Sequence, residues 1–169
     1  LWALGRDLPG AVTVRPADGE DWPPEVSDPV DEAEKQAREE KLLRFSLAGV
    51  QLKFSALQGA SGGLTIPAKG VGGSWIVKLP SDKYLGVPEN EYSMMTLARM
   101  LGMNVPAVDL VDIDEIGGLP KDVSALPGKA FVIERFDRLS DGSAVHTEDF
   151  AQIFGVYPRD KYKKASAAN

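Results

Sequence analysis

Three short runs of β-forming residues, Phe54 to Leu57, Leu64 to Ile66 and Ser74 to Leu79, are separated by Gly59, Gly62, Gly63, Gly70, Gly72 and Gly73. Gaps this short hold turns but no crossover, because a parallel pair of strands needs a connection of about a dozen residues or more. Antiparallel hairpins are therefore expected. One helix follows, Glu89 to Leu101, stopped by Gly102 and Pro106; Met94, Leu97, Ala98 and Leu101 recur at helical spacing and predict one buried face. Two further strands, Val108 to Ile113 and Ala130 to Glu134, precede a last short helix for which Thr147 is the expected N-cap. Upstream, Gly10 to Val14 reads as one more strand behind a Pro9-Gly10 turn. The order predicts an α+β fold, an antiparallel sheet with one main packed helix, and not a doubly wound parallel one. Leu57, Ile66, Ile76, Val77, Val108, Val132 and Ile133 are expected to be buried together against Met94, Leu97 and Leu101.

Charge divides the chain. Residues 16 to 40 hold ten acids against Lys35 and Arg38, more than the whole formal charge of −6. Pro16, Pro23, Pro24 and Pro29 make the first half of that segment a linker. Asp31/Lys35 and Glu34/Arg38, four residues apart, make its second half a solvated helix. Two roles stay open for it, a soluble connector and a docking surface for a basic partner. The chain has 43% apolar residues, enough for a core, and no apolar run near the roughly 18 residues that cross a bilayer. No membrane association is expected. Zero cysteines and a single histidine exclude a disulfide framework, a zinc knuckle, and thiol or Ser/His/Asp nucleophile chemistry needing a second imidazole. Leu1 stands where an initiator methionine would, so the chain is expected to be processed or partial.

The chemistry left is that of carboxylates, amines, hydroxyls and backbone. Neither Gly59 to Gly63 nor Gly70 to Gly73 has P-loop or dinucleotide-fingerprint spacing, because Trp75 stands where the latter needs its third glycine. Ser46-Leu47-Ala48-Gly49-Val50-Gln51-Leu52-Lys53 offers a hydroxyl, an amine and backbone N–H groups around a glycine, all anion-binding parts; a simple turn with an edge lysine is the other reading. Alternation puts Ile76 and Lys78 on one face of a strand, with Trp75, Val77 and Leu79 on the other. A cation between apolar neighbours needs a partner, and Glu91, bordering the helix's buried stripe, is the candidate; a structural ion pair is the alternative to a phosphate-positioning one. Phe131 to Arg138 reads as a strand leaving its sheet for a connecting segment, either a nucleotide hinge or an ordinary strand end with surface ion pairs. His146 has no neighbouring metal ligand at suitable spacing, and no metal site is expected in the chain.

Taken in order, these segments resemble the HipA-type serine/threonine kinases. Ser46 to Lys53 is similar to that family's serine-alanine-glycine-glutamine-lysine loop, and Trp75-Ile76-Val77-Lys78-Leu79-Pro80 to its strand-lysine motif. Pro88-Glu89-Asn90-Glu91-Tyr92 resembles its helix start and Glu134-Arg135-Phe136-Asp137-Arg138 its E-R-F-D-R signature. His146-Thr147-Glu148-Asp149-Phe150 and Lys161-Tyr162 resemble its later marks. The resemblance implies a kinase-like N-lobe with the start of a C-lobe over residues 44–169, the acidic linker and charged helix over 16–43, and the end of a small N-terminal subdomain over 1–15. It implies that Lys78 holds ATP phosphates, that Leu47, Ala48, Gly49, Val50, Gln51 and Lys53 cover them, and that Glu134, Arg135 and Phe136 meet the adenine. Ser46 would be the autophosphorylated serine. It further implies a cytoplasmic toxin of a toxin–antitoxin pair, with a protein substrate such as glutamyl-tRNA synthetase and a helix-turn-helix antitoxin that alone contacts DNA. The family's catalytic and Mg2+-binding aspartates follow the Lys161-Tyr162 mark, in a C-lobe beyond Asn169. No catalytic residue is therefore expected here, and the piece alone is expected to be inactive. A non-enzymatic lobe-like module that docks a partner protein is the alternative.

Overall fold

A computed structural model describes residues 7–14, 17, 52–67, 72–81, 84–157 and 160. Five strands, β1 (Lys53–Gln58), β2 (Leu64–Thr65), β3 (Trp75–Lys78), β4 (Val108–Asp112) and β5 (Lys129–Glu134), form one antiparallel sheet in the order β2-β1-β3-β5-β4. The main helix, α1 (Val87–Met100), connects β3 to β4. Two short helices, α2 (Lys121–Ser124) and α3 (Phe150–Ile153), lie before β5 and after it. The α+β architecture with one main helix is that expected from the glycine-punctuated runs.

Register assigns the two faces. Lys53, Lys78, Phe131 and Leu110 lie in one cross-strand row, and Ser55, Ile76, Ile133 and Val108 in the next row of the same face. The opposite face carries the main core: Phe54, Ala56, Val77, Ala130 and Val132 pack with Leu64, Ile66, Leu79, Ile113, Ile116 and Val123. The cover over that core comes from the connection between β4 and β5, whose Gly117 pairs with Thr65. Gly118 makes this approach possible. Its φ is +76° and a Cβ there would lie 2.3 Å from the Ile66 carbonyl oxygen.

The α1 helix packs on the other face, over β4 and β5. It starts beyond Gly86, with Pro88 in the first turn, and ends where Gly102, at φ +84°, donates to the Arg99 carbonyl. Its rotation corrects the predicted stripe. Met94, Leu97 and Leu101 are 55%, 47% and 69% exposed, while Pro88 is buried and Glu91, Met95 and Ala98 are half-buried. An ion pair from Glu91 to β3 turns the 88–91–95–98 line inward, so the most apolar line points to solvent. The single predicted core is therefore two layers. Ile66, Val77 and Val132 are buried in one; Ile76, Val108 and Ile133 are half-buried in the other. Leu57 is 46% exposed, because β1 lies two strands from β5 and beyond the reach of α1.

Two local expectations also change. Gly10 and Ala11 form a turn and residues 12–14 join no sheet, so the predicted strand there is absent. The last helix is capped by Asp149, not Thr147: the Asp149 carboxylate accepts from the Gln152 N–H at 2.8 Å, and Gln152 Oε1 accepts from the Asp149 N–H at 2.7 Å. This reciprocal box satisfies two otherwise orphaned donors, which a threonine two residues upstream cannot do.

Candidate functional site

The sheet face beneath α1 carries the cations. Lys53 and Lys78 are direct cross-strand partners. Like charges so placed repel, and the arrangement asks for negative charge nearby. Glu91 supplies part of it: Lys78 Nζ donates to Glu91 Oε2, and both side chains are about one-quarter exposed. The Lys78 ammonium also lies 5.4 Å from the centroid of the Phe131 ring, its neighbour on β5, so the ring's electron-rich face supports the charge from a second side. Neither contact sequesters Lys78 from solvent. Its remaining N–H groups can meet a further anion on the same face.

The segment after β5 uses part of its backbone within the fold. The Glu134 N–H donates to the Ala107 carbonyl at 2.9 Å, and the Arg135 N–H to the Ser74 carbonyl at 2.8 Å. Those two amides are thus used within the fold. Phe136 is the first residue past these bonds, and it is 70% exposed. Glu134 and Phe136 border an open cleft of about 490 Å³, with Asn104 and Pro106 across it. A second cleft, of about 370 Å³, lies on the opposite face around Trp75 and Val132 and holds none of the sequence-predicted residues.

Arg135 is only 3% exposed. Its Nε and Nη2 grip the two oxygens of Asp137, each at 2.9 Å, and its Nη1 donates to Asp7 Oδ1 at 2.6 Å and to Ser55 Oγ at 3.3 Å. Arg138 adds bonds to Asp137 Oδ2 at 3.0 Å and Asp7 Oδ1 at 3.2 Å, and the Gly10 N–H donates to Asp137 Oδ2 at 2.8 Å. Burial would raise the Asp137 carboxyl, but the Arg135 hydrogen bond, the Gly10 N–H and the charges of Arg135 and Arg138 together hold it at about 2. For Arg135 burial works against the charged form; bonds to Asp137 and the charge of Asp7 outweigh it and raise the guanidinium above its ordinary value.

The structure thus joins Lys78 to Glu91 and sets Lys53 opposite them. The Glu134 to Phe136 segment lies at the end of β5, two residues past Val132, the partner of Val77. Ser46, Leu47, Ala48, Gly49, Val50 and Gln51 lie outside the described residues, as do Lys161 and Tyr162. Sequence reasoning missed Asp7, Ser55, Asp137 and Arg138 as one cluster. The only signal was the alternating charge at 135, 137 and 138; Asp7, 128 residues away from Arg135, left none. His146 is exposed, 3.8 Å from Glu148.

Among the described residues no three histidine or acidic side chains cluster as cation ligands. The phosphate end of ATP does fit what is present, a part-exposed ammonium held by a carboxylate opposite a second lysine. No helix of the described residues is long and apolar enough to cross a membrane.

A strand lysine paired with a glutamate of the following helix occurs also in protein kinases. More narrowly, the chain belongs to the HipA-like family: the model of the HipA-like C-terminal domain matches residues 45–169. "Putative kinase Y4dM" of Sinorhizobium fredii is 61% identical over 168 residues, 98% of this chain and 40% of that protein. "Putative kinase Y4mE" of the same organism is 32% identical over 179 residues, 94% of this chain and 40% of that protein. A "Putative kinase" of Haemophilus influenzae is 33% identical over 97 residues, 57% of this chain and 26% of that protein. The chain spans about 40% of the length of the first two relatives.

Proposed function

We propose that the chain is the ATP-binding part of a HipA-type serine/threonine protein kinase. The observation that carries this reading is the Lys78–Glu91 pair, part-exposed on a sheet face where Lys53 stands directly opposite. Phosphoryl transfer asks the protein mainly for positioning and charge stabilisation. Lys78, oriented by Glu91, would hold the phosphates of ATP; Lys53 and the loop Leu47, Ala48, Gly49, Val50 and Gln51 would close over them. Past β5, the Phe136 amide would meet the base, with Glu134 and Arg135 fixing the course of the segment. The magnesium ions that ATP brings would be held by carboxylates from outside the described residues, in line with a second lobe in the longer protein. In that protein Ser46 would be phosphorylated, the substrate would be another protein such as an aminoacyl-tRNA synthetase, and a helix-turn-helix antitoxin would be the partner that brings the pair to DNA.

A binding-module reading has one observation in its favour, the exposed Met94–Leu97–Leu101 line of α1. The two readings separate in one experiment. In the full-length protein, Lys78→Ala should abolish phosphate transfer from ATP, a loss far beyond what the modest fall in melting temperature from unpairing Glu91 can explain. Normal turnover in that variant would return Lys78 to a structural role.

A further inference from the structure

The four ionic side chains Asp7, Arg135, Asp137 and Arg138 form a charge-balanced cluster with 7%, 2%, 9% and 17% of their side-chain surfaces exposed. Such a buried set adds little net stability over well-packed apolar residues; what it supplies is direction, since a guanidinium gripped on both oxygens of a carboxylate has one geometry. The bonds here also reach the backbone. Arg138 donates to the carbonyls of Leu8 at 2.8 Å and Gly10 at 2.9 Å, Arg135 to that of Leu8 at 3.4 Å, and Asp137 receives the Gly10 N–H. The whole course of residues 7–10 is thereby tied to residues 135–138. Gly10 fits closely elsewhere too, because a Cβ there would lie 2.9 Å from the backbone nitrogen of Thr147.

The cluster also touches the sheet face of the lysines. Arg135 donates to Ser55 Oγ, which accepts the Gly73 N–H at 3.0 Å, and Ser55 is the cross-strand partner of Ile76, two residues before Lys78. Phe136 lies between two buried residues, Arg135 and Asp137, and its side chain is turned outward as a result.

We propose that this cluster is a latch through which the segment Asp7–Gly10 sets the position of the chain after β5, making Asp7 a positioning residue for the base of the bound nucleotide. The inference rests on the ATP-binding reading above and extends it to a residue 128 positions upstream of the segment it controls. Asp7 does not touch nucleotide in this scheme. It fixes Arg135 and Arg138, and through them the Phe136 backbone.

The test uses the full-length protein, unmodified and as Asp7→Asn and Asp7→Glu. Binding of a non-hydrolysable ATP analogue, of adenosine and of inorganic tripolyphosphate is measured by calorimetry, and hydrogen exchange of residues 134–138 is followed without nucleotide. Asp7→Asn should weaken the analogue and adenosine about fivefold or more, in the range of ordinary site-to-site couplings, and speed exchange over 134–138. Tripolyphosphate, which needs only the lysines, should bind unchanged, and Asp7→Glu should recover part of the loss. Unchanged adenosine affinity and exchange would overturn the latch, as would an equal loss for tripolyphosphate, which marks general damage to the fold. Should Asp7→Asn not fold, Arg138→Lys keeps the charge but loses the fork onto Leu8 and Gly10, and the same outcomes apply. An unmodified protein that binds no ATP analogue would remove the kinase reading, and the exchange measurement alone would then decide the latch.

Discussion

Acid should unfold the chain partly through one carboxylate. Asp137 titrates at about 2 in the fold against an ordinary 3.8, which at 1.36 kcal/mol per pH unit corresponds to about 2 kcal/mol of stability. Its folded value is depressed, so on acidification the unfolded chain takes up the proton first. The contribution is therefore complete above about pH 4 and is lost as the pH falls from there through 2. Asp137→Asn removes the charge at every pH and leaves two guanidinium groups sharing Asp7 alone. Breaking a buried pair in this way costs about 3–5 kcal/mol at neutral pH. Urea unfolding of both forms, followed by tryptophan fluorescence between pH 7 and pH 2, separates the effect from that of carboxylates remote from the cluster, which both forms share. The stability difference should be constant from pH 7 to about 4.5 and then shrink by about 2 kcal/mol towards pH 2. A difference that stays constant over the whole range, or an Asp137 carboxyl resonance titrating at 3.8 or above, would refute the ion-network account.

Gly73→Ala should destabilise the chain by at least about 1–3 kcal/mol, because the added Cβ would lie 2.2 Å from the Ala56 carbonyl oxygen and backbone cannot swing aside as a side chain can; thermal melts give the answer. Met94→Ser and Leu97→Ser, on the outward line of α1, should each change the stability of this chain by no more than about 0.5 kcal/mol, whereas a cost of about 2–5 kcal/mol, as for emptying a core site, would return the line to the interior. In the full-length protein, mass spectrometry after incubation with ATP should find slow phosphorylation of Ser46 if the kinase reading holds, and the modified form should lose ATP affinity because a group of about −1.5 to −2 charge competes with the nucleotide phosphates. Phosphate found only elsewhere, or a Ser46→Asp variant that binds ATP normally, would count against this.

The first hairpin of the sheet was legible because its determinants are local, whereas the expected second one is not made: β3 pairs with β1 and β5 and not with β2. Glycines at 59, 62 and 63 force a hairpin whatever the rest of the chain does, and alternation alone places Ile76 and Lys78 together. Helix rotation is not local in this sense. Met94, Leu97, Ala98 and Leu101 make the better apolar line, yet one ion pair and the covered positions at Pro88, Met95 and Ala98 decide which side of α1 meets β4 and β5. A hydrophobic pattern says that some face is apolar and does not say what will lie against it. The cap of α3 was misplaced for a related reason, since Thr147 and Asp149 are both good capping residues and only the Gln152 side chain, three residues beyond Asp149, separates them.

Residues 134–138 show why the candidate site was half-readable. Alternation along an extended strand sends neighbours to opposite sides. Carried past the end of β5, it turns Arg135 and Asp137 inward and Glu134 and Phe136 outward. The sequence marks this stretch as a strand leaving its sheet, and by resemblance as a place where a base is met. What it cannot reveal is that the inward residues close on Asp7, because an ion partner 128 residues away leaves no periodic trace. The consequence is a division of labour within five residues. On the proposed reading, the backbone at Phe136 would meet a ligand, while the inward side chains would set where that backbone lies. If the chain binds ATP as proposed, a substitution at Arg135 should weaken that binding without any contact between its side chain and the nucleotide.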